Sequence, residues 1–385
     1  MAGGRAGLRV DPKLLEHLSA GRRVALVTGT NGKTTTTRLL TVALAATGDE
    51  VVSNETGSNM PPGHVAALAG SHADHAVLEV DEVYLPRVLA ATGAAVVVLL
   101  NLSRDQLDRT NEVRMVAGRW RAALAAAPHT HVVANADDPL VVWGAGVARD
   151  VHWVGAGLRW RLDAVGCPAC DGRIQFAEGS WSCAGCGLAR PAPEATLVPS
   201  ADGGSSGVWA DGGTHRVELA LPGRFNQANA LMAAVAAEAC GVDASTALAA
   251  MAGVEQVAGR FTVRSFGEVQ ARLMLAKNPA GWDELLELVA GSDAPLVVSI
   301  NARVADGADP SWLWDVPYER LAHRSVVATG DRFRDLSVRL RYAGVVHTTE
   351  SDPVRAVETA ADGSGAVVDV IGNYTAFHDL LGAPA

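Results

Sequence analysis

Short apolar runs recur along the first third of the chain, at residues 24–27, 51–53, 76–80, 95–100 and 131–134. Between them the apolar spacing turns helical, from Lys33 onward and again over 111–127. Strands alternating with helices of this length predict a parallel, doubly wound α/β sheet. Residues 160–190 interrupt the rhythm, and 191–212, rich in Pro, Gly and Ser, read as loop. A strand at 217–221, an Ala-rich helix at 226–240 and a shorter helix at 244–251 resume it. From about residue 262 a smaller α/β unit follows, with strands at 296–300, 325–329 and 367–371 and helices at 281–289, 332–342 and 352–360. The expected organisation is a lead-in over 1–22 with one helix at 12–20, a central domain over 23–262 and a C-terminal domain over 263–385. No internal repeat is evident.

Composition narrows the class. At 385 residues, 49% apolar and 19% charged, the chain has enough length and apolar content for two or three packed domains. Its longest apolar stretch, 94–100, is far too short to span a bilayer, and residues 1–20 lack the apolar core of a cleavable signal. A net charge of −10 argues against a general nucleic-acid binder but leaves room for a small anionic substrate.

The run 24–27 feeds Thr28-Gly-Thr-Asn-Gly-Lys-Thr-Thr-Thr36. A strand, a glycine-rich turn and a helix start make a phosphate-binding loop, here for a nucleoside triphosphate such as ATP. Gly29, Thr30, Asn31 and Gly32 would turn backbone N–H groups toward the phosphates, the two glycines without Cβ interference. Lys33 supplies a point charge, the Thr34 hydroxyl a Mg²⁺ ligand, and Thr35 continues the helix start. Thr28 stands where the general motif has its first glycine.

Four of the five cysteines form two C-x-x-C pairs, Cys167/Cys170 and Cys183/Cys186, with twelve residues between them. Two such knuckles flanking a hairpin-like alternation place four thiolates about a structural Zn²⁺, as in a zinc ribbon. Two disulfides or an iron–sulfur cluster are the alternatives. The segment between Cys170 and Cys183 holds one Arg and no Lys, too little charge to grip a nucleic acid. That weakens a third functional class, a zinc-ribbon ATPase acting on nucleic acid.

Ligands of open α/β sheets gather at the carboxyl ends of the strands, which marks several polar residues. Glu79 ends its strand and is the candidate Mg²⁺ partner of Thr34, with Asp81 and Glu82 read as a solvated acidic edge. Asn101, Asp105, Gln106 and Asp108 follow the next strand as candidates for substrate or metal contacts. Asn135 and Asp138 read equally as ligands or helix caps. Asn226 and Asn229, opening the Ala-rich helix, are adenine-reading candidates, with an N-cap role the alternative for Asn226. Cys240 reads as core.

In order, G-T-N-G-K-T-T, Glu79, N-L-x-x-D-x-L-D, A-N-x-D-D-P, G-x-x-N-x-x-N-A and Gly259-Arg260 resemble the Mur ligases over about residues 24–262. The resemblance implies a Mur ligase-like ATPase domain in which ATP and Mg²⁺ activate a carboxylate as an acyl phosphate for attack by an amine. It also makes Arg260 a cofactor-binding candidate, while Gln106 stands where a second metal would have a His. Because the phosphate loop starts at residue 28, the N-terminal UDP-binding domain of the precursor ligases is expected to be absent. The zinc ribbon, Leu275-Ala-Lys-Asn-Pro-Ala-Gly281, Asp306-Gly-Ala-Asp-Pro-Ser-Trp-Leu-Trp-Asp315 and Thr329-Gly-Asp-Arg332 are similar to the MurT branch, the synthetase subunits of lipid II isoglutaminyl synthases. That resemblance implies amidation of the D-glutamate α-carboxyl of lipid II with ammonia from a GatD-type glutaminase partner. It further implies that Asp306, Asp309 or Asp315 completes the partner's Cys–His pair, and that action is at the inner membrane face, peripheral at most. An amino acid ligase resembling folylpolyglutamate synthase is the main rival. Trp312 and Trp314 read either as a partner contact or as core.

Overall fold

The computed structural model describes residues 2–54, 58–104, 113–200, 204–257, 260–361 and 367–383. Asp105, Gln106, Asp108 and Gly259 lie outside the described residues. The chain divides into two compact units, the first running to Glu255 and the second from Gln256, with Arg104 grouped with the second.

In chain order the first unit contains α1 (Ala2–Val10), α2 (Leu14–Ser19), β1 (Arg23–Thr28), α3 (Lys33–Ala45), β2 (Val51–Ser53), α4 (Pro61–Ala69), β3 (His75–Glu79) and α5 (Leu85–Thr92). There follow β4 (Val96–Leu99), α6 (Val113–Ala125), β5 (His131–Asn135), α7 (Pro139–Ala145), β6 (Asp150–Gly155), β7 (Ile174–Ala177) and β8 (Ser180–Cys183). It ends with β9 (Ala195–Pro199), β10 (Ser205–Trp209), β11 (Thr214–Arg216), α8 (Arg224–Ala239) and α9 (Ala244–Ala252). The main sheet runs β11-β10-β9-β6-β5-β4-β1-β3-β2 and is parallel except at β9-β10-β11. β1 is buried on both faces from Val24 to Thr28, which is why its apolar run is unbroken rather than alternating. Its neighbours β3 and β4 lie on opposite sides, so the chain's winding direction reverses beside it. A crevice at such a switch point is where open α/β sheets hold ligands.

Three expectations change. Residues 191–212, read as loop, carry β9 and β10, and the strand expected at 217–221 is the three-residue β11 just before it. The inward positions of β10 are Ser205, Gly207 and Trp209, a sequence with no apolar alternation. A Cβ on Gly207 would meet Trp209 and Leu231 atoms at 2.6 and 2.8 Å, so the small residue is what lets α8 lie against this strand. Finally, the lead-in holds two helices rather than one at 12–20: α1, interrupted by Gly3, Gly4 and Gly7, has weak intrinsic helicity and packs on α4.

The second unit contains β12 (Phe261–Phe266), β13 (Val269–Leu275), α10 (Pro279–Ala290), β14 (Leu296–Ser299) and β15 (Ser325–Thr329). It continues with α11 (Phe333–Tyr342), β16 (Val346–Thr349), α12 (Pro353–Ala361), β17 (Val367–Gly372) and α13 (Tyr374–Gly382). Its sheet runs β12-β13-β17-β14-β15-β16, parallel except for the β12-β13 hairpin. Among the described residues no helix is long and apolar enough to cross a membrane.

Candidate active site

The loop between β1 and α3 keeps its shape through bonds made by its neighbours. Gly29 and Gly32 have φ of 142° and 87°. A Cβ on Gly29 would meet the Leu100 Cβ at 2.8 Å, and one on Gly32 the Asn229 Oδ1 at 2.6 Å. Both positions are therefore closed to any other residue on two grounds, backbone and space. Asn101 braces the middle: its Oδ1 accepts from the Asn31 N–H at 2.9 Å and its Nδ2 donates to the Asn31 carbonyl at 3.0 Å. Its own carbonyl accepts from the Thr30 N–H at 2.9 Å. The Thr30 hydroxyl donates to the Ser103 carbonyl and accepts from the Ser103 N–H. Asn101 thus serves the loop's backbone rather than standing open for metal or substrate, a role that becomes visible only when β4 lies beside β1.

Lys33 is buried, with Nζ 2.6 Å from the Gly29 carbonyl, 3.2 Å from that of Thr30 and 3.0 Å from Glu82 Oε2. Glu82 is therefore not part of a solvated edge. Its side chain is 15% exposed, burial pushes its carboxyl above the usual range against the pull of Lys33, and its carbonyl accepts from Trp120 Nε1 at 2.9 Å. No sequence signal separates it from Asp81, whose side chain caps a turn at Val83. Glu79 is 3% exposed at the end of β3. Its backbone is pinned by Asn54, which accepts from its N–H at 2.8 Å, and by His64 Nε2, 2.8 Å from its carbonyl. His64 is fully buried, and burial lowers its pKa, so it donates as a neutral ring. Among the described residues the Glu79 carboxylate has one polar partner, the Asn59 amide at a long 3.4 Å. A buried carboxylate so thinly satisfied, together with the part-exposed Thr34 in the first turn of α3, fits a hard divalent cation such as Mg²⁺.

The two aspartates after β5 divide their work. Asp138, fully buried, is the N-cap of α7, accepting from the N–H groups of Leu140 and Val141 at 2.9 and 3.3 Å. It also accepts from the Leu102 N–H at 2.8 Å. Burial pushes its carboxyl up to about 6, with these three N–H donors pulling the other way. Asp137 takes the Gly157 N–H at 2.7 Å and Arg190 Nε at 2.6 Å. Asn135 holds the Asp137 N–H and the Gly157 carbonyl. Of the asparagines on α8, Asn229 sits against Gly32, and Asn226 returns its amide to the Pro222 carbonyl at 2.6 Å. The N-cap of α8 is Gly223, not Asn226.

The four cysteine sulfurs lie within 4.8 Å of one another and form no disulfide. Cys167 Sγ is 3.6 Å from that of Cys186, and Cys170 Sγ is 3.5 Å from that of Cys183. A disulfide requires about 2.05 Å. A tetrahedron with Zn–S bonds of about 2.3 Å has an edge of about 3.8 Å. The donor set therefore fits Zn²⁺ with every coordination position filled by sulfur. The β7-β8 hairpin docks on the end of β5 through Trp181 Nε1, which donates to the Ala136 carbonyl at 3.0 Å. Sequence spacing found the cysteines but neither docking contact, Trp181 nor Arg190.

In the second unit, Arg260 stands immediately before β12, its carbonyl accepting from the Leu275 N–H. Asn278 caps α10. The three aspartates of the 306–315 motif differ sharply. Asp306 is buried, with one oxygen on the Thr375 N–H and the other on the Thr375 hydroxyl and the Arg303 N–H. Asp309 is exposed and caps a short 3₁₀ turn at Ser311, while Asp315, at the turn's end, is half-buried. The tryptophans between them split in the same way. Trp312 is buried against Trp282, whereas Trp314 is 55% exposed and stacks edge-on to Tyr342.

A family model described as the Mur ligase middle domain matches residues 27–152, and one described as MurT ligase C-terminal matches residues 275–377. The lipid II isoglutaminyl synthase (glutamine-hydrolyzing) subunit MurT of Streptococcus pneumoniae is 28% identical over 367 residues, covering 89% of this chain and 81% of that one. The protein of the same name from Staphylococcus aureus strain COL is 28% identical over 403 aligned residues, covering 98% and 91%. Among solved structures, a pseudomurein peptide ligase type C from Methanothermus fervidus matches with a TM-score of 0.70 at 20% identity, covering 91% and 76%. Mycobacterium tuberculosis folylpolyglutamate synthase complexed with ADP matches with a TM-score of 0.65 at 18% identity, covering 96% and 93%. The fold is thus Mur ligase-like.

Gly32→Ala is expected to weaken ATP binding at least ~10-fold, through loop strain and the Asn229 clash, and to lower the melting temperature as well. Isothermal titration against the unaltered chain checks it. Asp138→Ala strips three buried N–H groups of their acceptor and should cost about 2 kcal/mol of stability. Because the folded carboxyl titrates near 6 rather than 3.8, its contribution is full below 3.8 and lost as pH rises through about 6. The melting-temperature gap between wild type and variant should therefore narrow from pH 4 to pH 7. A thiol reagent should reach the four cluster cysteines of the Zn²⁺-loaded chain only after a chelator is added.

Proposed function

We propose that this chain, Mur ligase-like in fold and similar to MurT subunits over nearly its whole length, is an ATP-dependent carbon–nitrogen ligase that amidates a lipid-linked peptidoglycan precursor. Its target is the D-glutamate α-carboxyl of the lipid II stem peptide, its product D-isoglutamine, and its nitrogen donor ammonia from a glutaminase partner subunit. The observation that carries this reading is the pairing, in one chain, of a braced phosphate loop with a C-terminal unit of the MurT type. Action would be in the cytoplasm, at the inner face of the membrane.

The chain's own residues account for the synthetase half of such a reaction. The loop of residues 29–32, whose Thr30 and Asn31 N–H groups are held by Asn101, would lie around the phosphates, and Lys33 would exchange Glu82 for the transferring phosphoryl group. Thr34 and Glu79 would hold Mg²⁺, which would supply positive charge beside the phosphates. Asn229, which lies against Gly32, is one nucleotide candidate, with Arg260 and Asn226 as the others. The bond formed is carbon to nitrogen, ammonia displacing phosphate from the acyl phosphate.

A source of ammonia has to come from outside. Glutamine hydrolysis needs a reactive thiolate. Here four thiols form the metal cluster, and burial pushes the fifth, Cys240, up to about 11. Asp309 and Asp315 remain accessible to a partner's Cys–His pair, whereas both oxygens of Asp306 are engaged. The exposed Trp314 and Tyr342 would suit the same contact.

Supplied with Mg·ATP, lipid II and ammonium chloride, the chain should yield a product lighter by the difference between a hydroxyl and an amino group. A product heavier by an amino acid residue would overturn the reading in favour of an amino acid ligase. Lys33→Ala should lower turnover by at least ~10²-fold in this assay. With glutamine and the partner subunit, Asp309→Asn or Asp315→Asn should suppress glutamine-driven amidation while ammonium-driven amidation persists.

A further inference from the structure

The sheet of the first unit carries a second group of metal-ligating side chains, on the edge opposite the phosphate loop. His131 and Asp150 are the first residues of the parallel strands β5 and β6, and the register pairs them directly. His152 follows Asp150 by two positions on β6, which returns its side chain to the same face. One ligand atom from each of the three lies within 4.8 Å of the others.

His131 Nδ1 is 2.6 Å from Asp150 Oδ2, yet this buried nitrogen is aligned for no hydrogen bond among the described residues. An ion bound by both at about 2.0–2.1 Å would hold them about 3.3 Å apart, a small rotamer adjustment from this contact. His152 Nε2 lies 3.7 Å from the other oxygen of Asp150. Its opposite nitrogen, Nδ1, is 2.7 Å from Glu194 Oε2, just ahead of β9. A carboxylate at Nδ1 keeps the ring proton there and leaves the Nε2 lone pair facing Asp150. That carboxylate–histidine arrangement is the usual support of a metal-ligating imidazole.

We propose that His131, Asp150 and His152, oriented by Glu194, bind one divalent transition metal of the Zn²⁺, Ni²⁺ or Co²⁺ class. Two imidazoles and a carboxylate select these borderline ions over Mg²⁺ or Ca²⁺, and three protein ligands leave a position for water. His131 and Asp150 are about half-exposed and His152 about a quarter, so an ion would enter from solvent. β5 and β6 run parallel to β1 through β4, so their first residues lie at the sheet edge away from the loop that β1 feeds. The zinc ribbon docks past the last residue of β5, at Ala136. The two metal sites therefore fill independently, and the second would clip β5 to β6, with β9 tied in through Glu194.

The test uses the full chain with its cysteine cluster already loaded with Zn²⁺, titrated with Co²⁺ alone. Calorimetry and absorption are expected to show one additional equivalent with weak visible bands and no thiolate-to-cobalt charge-transfer band. His131→Asn and His152→Asn should each abolish that equivalent, and Glu194→Gln should weaken it ~10–100-fold. Saturating Zn²⁺ should raise the melting temperature of the loaded wild type and not of His152→Asn. Absence of the additional equivalent in wild type overturns the proposal without reference to any variant. So does its persistence in either histidine variant, or a charge-transfer band placing the cobalt in the cysteine cluster.

Discussion

The loop between β1 and α3 depends on Asn101, which takes up the N–H groups of both Thr30 and Asn31. A loop with two glycines at positive φ is costly for a chain to keep in place. Asn101 offsets that cost by presenting to Asn31 the same donor–acceptor pair that a neighbouring strand would. Lys33 is folded onto the Gly29 and Thr30 carbonyls and paired with Glu82, so its charge is never left bare in a buried site. The loop is therefore held in one shape by its own neighbours.

The same requirement explains where the ribbon is attached. From the cysteine cluster, Trp181 reaches the Ala136 carbonyl and Arg190 reaches Asp137. The next residue, Asp138, caps α7 and holds the Leu102 N–H, one residue from Asn101. Hydrogen bonds joined by short stretches of backbone thus connect the ribbon to the loop after β1 through the strand ends of β5 and β4. The insertion shares a small core with α7 and β6 through Val142, Trp153, Ile174 and Trp181. A metal held by the four cysteines would fasten the rim of the main sheet rather than an isolated appendage.

Much of this was legible in the sequence, and the boundary of legibility has a physical cause. The central strands β1, β3, β4 and β5 are buried on both faces and announce themselves as apolar runs. The phosphate loop and the C-x-x-C pairs are local motifs whose chemistry depends on neighbours in sequence. β9 and β10 were read as loop because their inward positions include Ser205 and Gly207, chosen by the close passage of α8 rather than by hydrophobicity. Glu82 and Asn101 have no local signature, because their partners lie 49 and 70 residues away. Asp105, Gln106 and Asp108 remain expectations from the sequence, since they fall outside the described residues.

Burial makes the final distinction, among residues of one type in one short motif. Asp306, Asp309 and Asp315 are equivalent in sequence, and each could supply a carboxylate to a partner. Asp306 instead ties the start of α13 to the loop after β14, and an aspartate with that many donors cannot leave them without unpairing buried groups. Asp309 and Asp315 bracket a 3₁₀ turn whose apolar side, Trp312 and Leu313, is anchored in the core. The anchored turn leaves the two carboxylates and Trp314 outward on a rigid support. Residues fixed from beneath and part-exposed above are what a contact with a second protein would need.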